Sequence, residues 1–269
     1  MLQIHSRNNA TTDNWRAISA LLGAVLLLYY LVPLVLLLSR MPGILSGTFN
    51  WGAIVSAAAT SLASSLVSTI IAALFGVPLA YWLARTRFQG KSVVTALIVL
   101  PLVLPPIVSG MVLLSVFGPN TPVSAVAAKI GVSLTRSFIG VVLAQTFVAS
   151  PFVVVTAKAA FEGVDQQLEQ AARTLGKNSR TTFQEISLPL AKPGIVAGIT
   201  LAFARSMGEF GATMMMAYYP RTMPVQIWTT FMARGLDTAF PIALILLVVS
   251  VGTLSVLVAL DANPWGDAT

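Results

Sequence analysis

Residues 168–190 read LEQAARTLGKNSRTTFQEISLPL, a polar segment inside a chain that is otherwise dominated by apolar residues. Within it, the triplet Gln170-Ala171-Ala172 is followed after three residues by Gly176, and Leu188-Pro189 comes near the end. A polar segment of this length between long apolar runs predicts a loop on one face of a membrane.

The local pattern of this segment predicts two short helices separated by a glycine turn. Asp165 is a suitable N-cap, and Gly176 suits the left-handed residue that ends a helix. A second helix beginning at Asn178 or Ser179 is expected to stop before Pro189. One apolar stripe is predicted at helical spacing, made of Val164, Leu168, Ala171, Ala172 and Leu175. Polar side chains such as Glu169 are expected elsewhere on the surface.

Composition sets the class of protein. The 269 residues are 56% hydrophobic and only 9% charged, with a mean hydropathy of +0.84. Soluble domains carry about 25% charged residues, so the chain is expected to be an integral membrane protein. Its net charge of +7 then indicates basic loops facing anionic lipid headgroups, with no nucleic-acid partner. The absence of Cys and the single His5 predict no metal site.

Six apolar runs reach the length of about 20 residues that a transmembrane helix needs. The prediction is an all-α integral membrane protein with six transmembrane helices, forming a single transmembrane domain over residues 1–269. Residues 17–38 form the first span, residues 54–260 a five-span core, and residues 161–190 the loop described above. The runs are residues 17–38, 54–84, 92–117, 137–161, 194–217 and 239–260. The first run is too long for a signal-peptide core and is interpreted as a retained span.

The distribution of Lys and Arg predicts the orientation of the spans. With the N-terminus inside, ten basic residues fall in cytoplasmic segments and five, among them Arg40, in outside segments. The positive-inside rule therefore places both termini, and the polar loop at residues 161–190, in the cytoplasm.

Two features inside the predicted spans are chemically unusual. Pro101, Pro105 and Pro106 are expected to kink the third span, either for shape alone or beside a transport pathway. Arg205 and Glu209 lie four residues apart in the predicted fifth span, where a charge costs roughly 2.5–3.5 kcal/mol. We expect the two to form either a structural ion pair or a gate in the path of an anion.

Several blocks of sequence resemble the permease subunits of ABC importers, and most of all those of molybdate/tungstate importers. The loop skeleton is one such block, including the Gln170-Ala171-Ala172 triplet where the general family pattern has Glu-Ala-Ala. The others are Leu100-Pro101-Leu102-Val103-Leu104-Pro105-Pro106 in the third span and the run from Phe203 to Thr213 in the fifth. The resemblance covers nearly all of residues 49–260, and the Gln at the first triplet position puts an ionic role there in doubt.

The resemblance implies a homodimeric permease that imports a tetrahedral oxyanion by alternating access. Its implied partners are a second copy of the chain, two ABC ATPase subunits, an extracytoplasmic oxyanion-binding protein and membrane lipid. ATP and Mg would be bound by the ATPase, with no cofactor and no catalytic residue in this chain, which lacks a GxxxxGK[ST] loop. The ATPase-docking residues would be Leu168, Glu169, Gln170, Ala171, Ala172, Leu175 and Gly176, and the pathway or gate residues Arg205, Ser206, Glu209 and Thr213.

Alternatives to a molybdate/tungstate permease remain open at this point. A sulfate or thiosulfate ABC permease would carry the same loop, and sulfate shares the charge and shape of molybdate. A secondary transporter would need several membrane-embedded carboxylates, of which only Glu209 is convincingly placed. A non-transporting membrane scaffold is the remaining alternative.

Overall fold

The computed structural model describes the backbone of residues 5–39 and 50–261, and side chains within residues 15–39 and 50–255. The side chains of His5 and Arg7 and the whole of Arg40 lie outside this description. Helices and turns make up the described chain, which confirms the all-α prediction. The helices are α1 (His5–Ser39), α2 (Trp51–Arg85), α3 (Lys91–Val103), α4 (Pro106–Phe117), α5 (Pro122–Lys129), α6 (Phe138–Glu162), α7 (Gln166–Thr174), α8 (Ser179–Thr182), α9 (Leu188–Met207), α10 (Gly211–Met216), α11 (Met223–Arg234) and α12 (Leu236–Asp261).

Helix α6 is the centre of the core, because α2 and α9 both pack along it. Small residues permit this close packing. In lipid, van der Waals packing holds helices together, because there is no hydrophobic driving force between them. A Cβ at Gly198 of α9 would lie 1.9 Å from Thr156 Oγ1 of α6, so only glycine fits there. On α2, Ala57 and four serines face inward; the serines are Ser61, Ser64, Ser65 and Ser68.

The third span is more sharply broken than the predicted kink. Its two parts, α3 and α4, meet at an angle of 118°. Leu104 lies between them with φ −68° and ψ 133°, the extended conformation that a residue preceding proline prefers. Pro105 and Pro106 follow, and Pro106 begins α4, where its missing N–H is harmless. Five described helices are long and apolar enough to cross a membrane, and the broken pair would make a sixth span.

The fifth span also differs from its prediction at both ends. The second helix of the loop does not end before Pro189, because a π-helical turn over Phe183–Ser187 joins α8 directly to α9. The Leu188 N–H donates to the Phe183 carbonyl, and Pro189 then falls in the first turn of α9, where no N–H is needed. At the other end α9 stops at Met207, and α10 is a separate helix of six residues. The predicted span over residues 194–217 therefore starts too late and merges two helices.

Candidate functional site: the polar loop and the break after α9

The loop between α6 and α9 forms its first helix from local signals. The Asp165 side chain accepts a hydrogen bond from the Gln167 N–H at 2.8 Å and caps α7. The helix ends at Leu175, and Gly176 follows with φ +86°, the left-handed conformation that favours glycine. Asn178 caps α8 by accepting from the Thr181 N–H at 2.9 Å. The helix–turn–helix start of this loop is therefore as the sequence predicts.

The orientation of α7 about its own axis differs from the prediction. Glu169, expected on the surface, is 4% exposed, whereas Leu168 is 48% and Leu175 83% exposed. At about 100° per residue, the buried side of α7 is centred between Ala172 and Glu169 instead of on the apolar stripe. A polar contact that the stripe does not contain must therefore decide which face turns inward.

That contact is a buried ion pair between Arg85, at the end of α2, and Glu169. The Arg85 Nη2 and Nε donate to Glu169 Oε1 at 2.7 and 2.9 Å, and Nε also lies 3.1 Å from Oε2. The Ser187 hydroxyl donates to the same Oε1 at 2.7 Å, and Arg85 Nη2 reaches the Val164 carbonyl at 3.2 Å. The two side chains are only 13% and 6% exposed. Four parts of the chain are thereby joined by charged hydrogen bonds: α2, Val164 ahead of the α7 cap, α7 and the π-helical turn.

The residues predicted to dock an ATPase are divided by this orientation into two groups. Glu169 and Ala172 face the body of the chain and hold the loop in place. The others form an exposed face, which we call the docking face: Leu168, Gln170, Ala171, Leu175 and Gly176. An exposed Leu175 next to a glycine turn, on an otherwise polar loop, presents apolar surface that a partner protein could cover.

The residues predicted as a gate meet at the break between α9 and α10, not in the middle of a span. Arg205 Nη1 and Glu209 Oε2 lie 2.5 Å apart within one chain. The N–H is not aimed at Oε2, which has no hydrogen-bond partner, so the contact is an ion pair without hydrogen-bond geometry. Glu209 Oε1 accepts from the Ala212 N–H at 2.8 Å and so caps α10. Glu209 is 1% exposed at its side chain and Arg205 28%, so the arginine alone is accessible.

The two hydroxyl residues of the predicted pathway are fully buried. The Ser206 hydroxyl accepts from Ser68 at 3.1 Å, and the Ser206 carbonyl accepts from Gln145 Nε2 at 3.0 Å. Thr213 is 0% exposed, and its hydroxyl has no hydrogen-bond partner among the described residues. In this conformation neither Ser206 nor Thr213 lines an open passage, and both belong to a closed contact between α9, α10 and the core.

Sequence reasoning missed two residues that organise these sites. Arg85 counted only toward membrane orientation, although it holds Glu169. Gln145, an amide in the middle of the apolar helix α6, joins α9 to Ser68 of α2. A lone amide in a span usually faces protein, and this signal was available. No such signal was available for Arg85, because its partner Glu169 lies 84 residues away along the chain.

The chain has relatives among known proteins. Residues 76–263 match the family described as binding-protein-dependent transport system inner membrane component. The chain belongs to this family. It is 53% identical to a protein of Haloferax volcanii named "Probable molybdenum ABC transporter permease protein", over 94% of this chain and 93% of the relative. It is 36% identical to the molybdate/tungstate transport system permease protein WtpB of Pyrococcus abyssi, over 88% and 92% of the two chains.

Solved structures show the same fold for this inner-membrane component at low sequence identity. The chain superposes with a TM-score of 0.71 and 14% identity on a chain of a bacterial alginate ABC transporter, covering 93% and 94% of the two. Against a chain of the MetNI methionine ABC transporter, the TM-score is 0.61 at 18% identity, covering 77% and 92%. Family membership makes the chain a multi-pass membrane transport component, and it removes the secondary transporter and the scaffold as interpretations.

Proposed function

We propose that the chain is the permease subunit of an ATP-driven importer of molybdate or tungstate. The substrate assignment rests on relatives that are named for molybdenum and for molybdate/tungstate, each matched over most of both chains. The transported oxyanion would arrive on an extracytoplasmic binding protein and pass between two copies of the permease. Both termini and the loop at residues 161–190 would be cytoplasmic, in agreement with the excess of basic residues on that side.

The docking face is where we place the contact with the ATPase. It offers Leu168 and Leu175 exposed, beside Ala171, whose small side chain allows another backbone to approach. Two ATPase subunits, one for each permease, would bind ATP and Mg and perform all of the hydrolysis. This chain would need no cofactor of its own, and the described residues contain no cluster of metal-ligating side chains.

The loop is built to transmit movement. The Arg85–Glu169 pair ties α7 to the end of α2, and the π-helical turn continues the loop into α9. A push on the docking face would therefore move α2 and α9 together, and these are the two helices that pack along α6. The far end of α9 is the break that holds Arg205 and Glu209. Alternating access would follow from opening and closing that break while the loop moves as one rigid unit.

The test is uptake into proteoliposomes that contain the permease, the ATPase and the binding protein. We expect ATP-dependent import of molybdate and tungstate that excess sulfate does not block. Robust import of sulfate, unaffected by excess molybdate or tungstate, would overturn the substrate and leave the importer standing. Import that proceeds without ATP or without the ATPase would overturn the mechanism.

A further inference from the structure

A polar cavity lies at the end of the molecule opposite the docking face. It has a volume of about 410 Å³ and lies between the start of α2, the helix α11 and the start of α12. Helix α2 fixes its position, since Asn50 at its start lines the cavity and Arg85 at its end binds the docking loop. A helix of 35 residues is about 50 Å long, more than the roughly 30 Å of a bilayer core. With the loop in the cytoplasm, the cavity faces outside.

The lining of this cavity is positive. Arg221 and Arg234 contribute two guanidinium groups, and none of the described lining residues is Asp or Glu. Neither arginine forms an ion pair with a carboxylate in the described part of the chain. Four further side chains retain a donor that could face an anion: Asn50, Tyr218, Gln226 and Thr230. The hydroxyls of Thr229 and Thr238 already donate to the Gln226 and Gly235 carbonyls.

Arg221 is held in place before any ligand arrives. Its guanidinium stacks on the rings of Tyr218 and Tyr219, with centroids at 5.2 and 4.8 Å. Nη1 donates to Gln226 Oε1 and Nη2 to the Tyr218 hydroxyl, each at 3.3 Å. The Nε–H is buried and has no acceptor. Because that nitrogen is buried, a ligand in the cavity would meet Arg221 through its two Nη groups.

Arg234 adds a second, exposed guanidinium to the same cavity. It is the last residue of α11 and lines the cavity one helix length from Arg221. Two guanidinium groups on one cavity attract a divalent oxyanion, and each can donate hydrogen bonds to its oxygens. The cavity volume also leaves room for water around the ion, since one water occupies about 30 Å³.

We propose that this cavity is a receiving site for a tetrahedral oxyanion, used before the ion enters the pathway. The inference rests on the proposed function for the identity of the ion, and it assigns Arg221 and Arg234 as the binding groups. Such a site would raise the local concentration of the anion at the mouth of the permease. It would also lower the chance that an ion released by the binding protein is lost to the outside.

The test uses the absence of Cys from the chain. Thr230→Cys places one thiol in the cavity, and a membrane-impermeant anionic methanethiosulfonate reports its accessibility through mass spectrometry of the permease chain. The full permease–ATPase complex in proteoliposomes is labelled with and without molybdate, in the absence of the binding protein. We expect molybdate, tungstate or sulfate to slow labelling, and chloride at equal ionic strength to leave it unchanged.

Two controls make the result specific. Val126→Cys lies on α5, exposed and outside the cavity, and its labelling should not respond to oxyanions. In the Thr230→Cys background, Arg234→Gln should raise the protecting concentration of molybdate about tenfold, as loss of a charged hydrogen bond predicts. Lys129→Gln removes the same charge from exposed α5 and should leave that concentration unchanged.

Each outcome decides one way. Protection of Cys at 230 that Arg234→Gln weakens supports the receiving site. No protection, or equal protection at 126, overturns it, and so does protection that appears only when substrate-free binding protein is added, because the cavity would then be a protein contact. The same vesicles are then supplied with the binding protein and ATP and assayed for uptake: import without protection rejects only the receiving site, and protection without import rejects the proposed function.

Discussion

Two Arg–Glu pairs, one at the polar loop and one at the break after α9, are built differently. The Arg85–Glu169 pair has three donor contacts from the guanidinium, a further hydroxyl donor from Ser187, and little exposure of either side chain. The Arg205–Glu209 pair has one close contact without hydrogen-bond geometry, and its arginine is 28% exposed. A saturated pair costs much to break, whereas a poorly satisfied pair costs little to rearrange.

The difference bears on which part of the proposed mechanism stays rigid and which part changes. If the loop at residues 161–190 docks an ATPase as proposed, it must keep its shape while force passes through it, and the first pair would supply that rigidity. The break after α9 must change between two states if the chain works by alternating access. Glu209 caps α10 through Oε1 and contacts Arg205 through Oε2. It can therefore keep its hydrogen bond to α10 while it exchanges its contact with Arg205.

The largest effect is expected from Arg85→Ala, which leaves Glu169 buried without a partner. Removal of one member of a buried pair costs roughly 3–5 kcal/mol, so we expect lower thermal stability and loss of ATPase co-purification. Arg87→Ala is the matched control, since Arg87 is exposed two residues along the chain. The measurements are thermal unfolding in nanodiscs and co-purification of the ATPase. Equal behaviour of the two variants would contradict the rigid-loop interpretation.

Leu175→Glu tests the orientation that Glu169 imposes on α7. Because Leu175 is 83% exposed, the permease should fold and insert normally. Its affinity for the ATPase should fall by about 2 kcal/mol or more if Leu175 is an anchor of the interface. Gln166→Glu adds the same charge on the opposite side of α7 and should bind the ATPase normally. Retained ATPase binding and coupled hydrolysis in Leu175→Glu would show that this surface does not dock the ATPase.

Glu209→Gln separates a structural pair from a gate at the break after α9. The amide oxygen can still accept from the Ala212 N–H, so α10 keeps its cap while the negative charge is lost. If the pair is a gate, we expect a folded complex with altered basal ATP hydrolysis. A double-mutant cycle with Arg205→Gln should give a coupling energy of about 0.5–1.5 kcal/mol, below that of the Arg85–Glu169 cycle. A larger coupling at Arg205–Glu209 would reverse the comparison.

The smallest effect is expected from the glycine turn that ends α7. Gly176 has φ +86° and open space around it, so a substitution there meets only backbone strain. Gly176→Val should cost roughly 1–2 kcal/mol and weaken coupling of ATP hydrolysis to transport. Gly176→Asn tolerates the left-handed conformation and is the control. Full coupling in the valine variant would show that the loop does not depend on this turn.

Local features of the fold were predictable because they depend on neighbours in sequence. The Asp165 cap and the Gly176 turn follow from residue type and spacing. The break at Leu104 was underestimated, since two consecutive prolines end a helix more completely than one proline bends it. The continuation of α8 into α9 was missed, because a π-helical turn has no sequence signature that spacing alone reveals.

The sequence by itself determined the class of the protein, its helical spans, the polar loop and the family that the loop resembles, because composition and short-range periodicity carry that information. Tertiary structure alone decided that Glu169 turns inward while Leu168 and Leu175 stay exposed, and that Arg205 and Glu209 meet at a helix break. It also brought the two arginines of the outer cavity to one space. The physical reason is that the rotation of a helix about its axis is set by the strongest contact it makes, and that contact comes from residues far away along the chain.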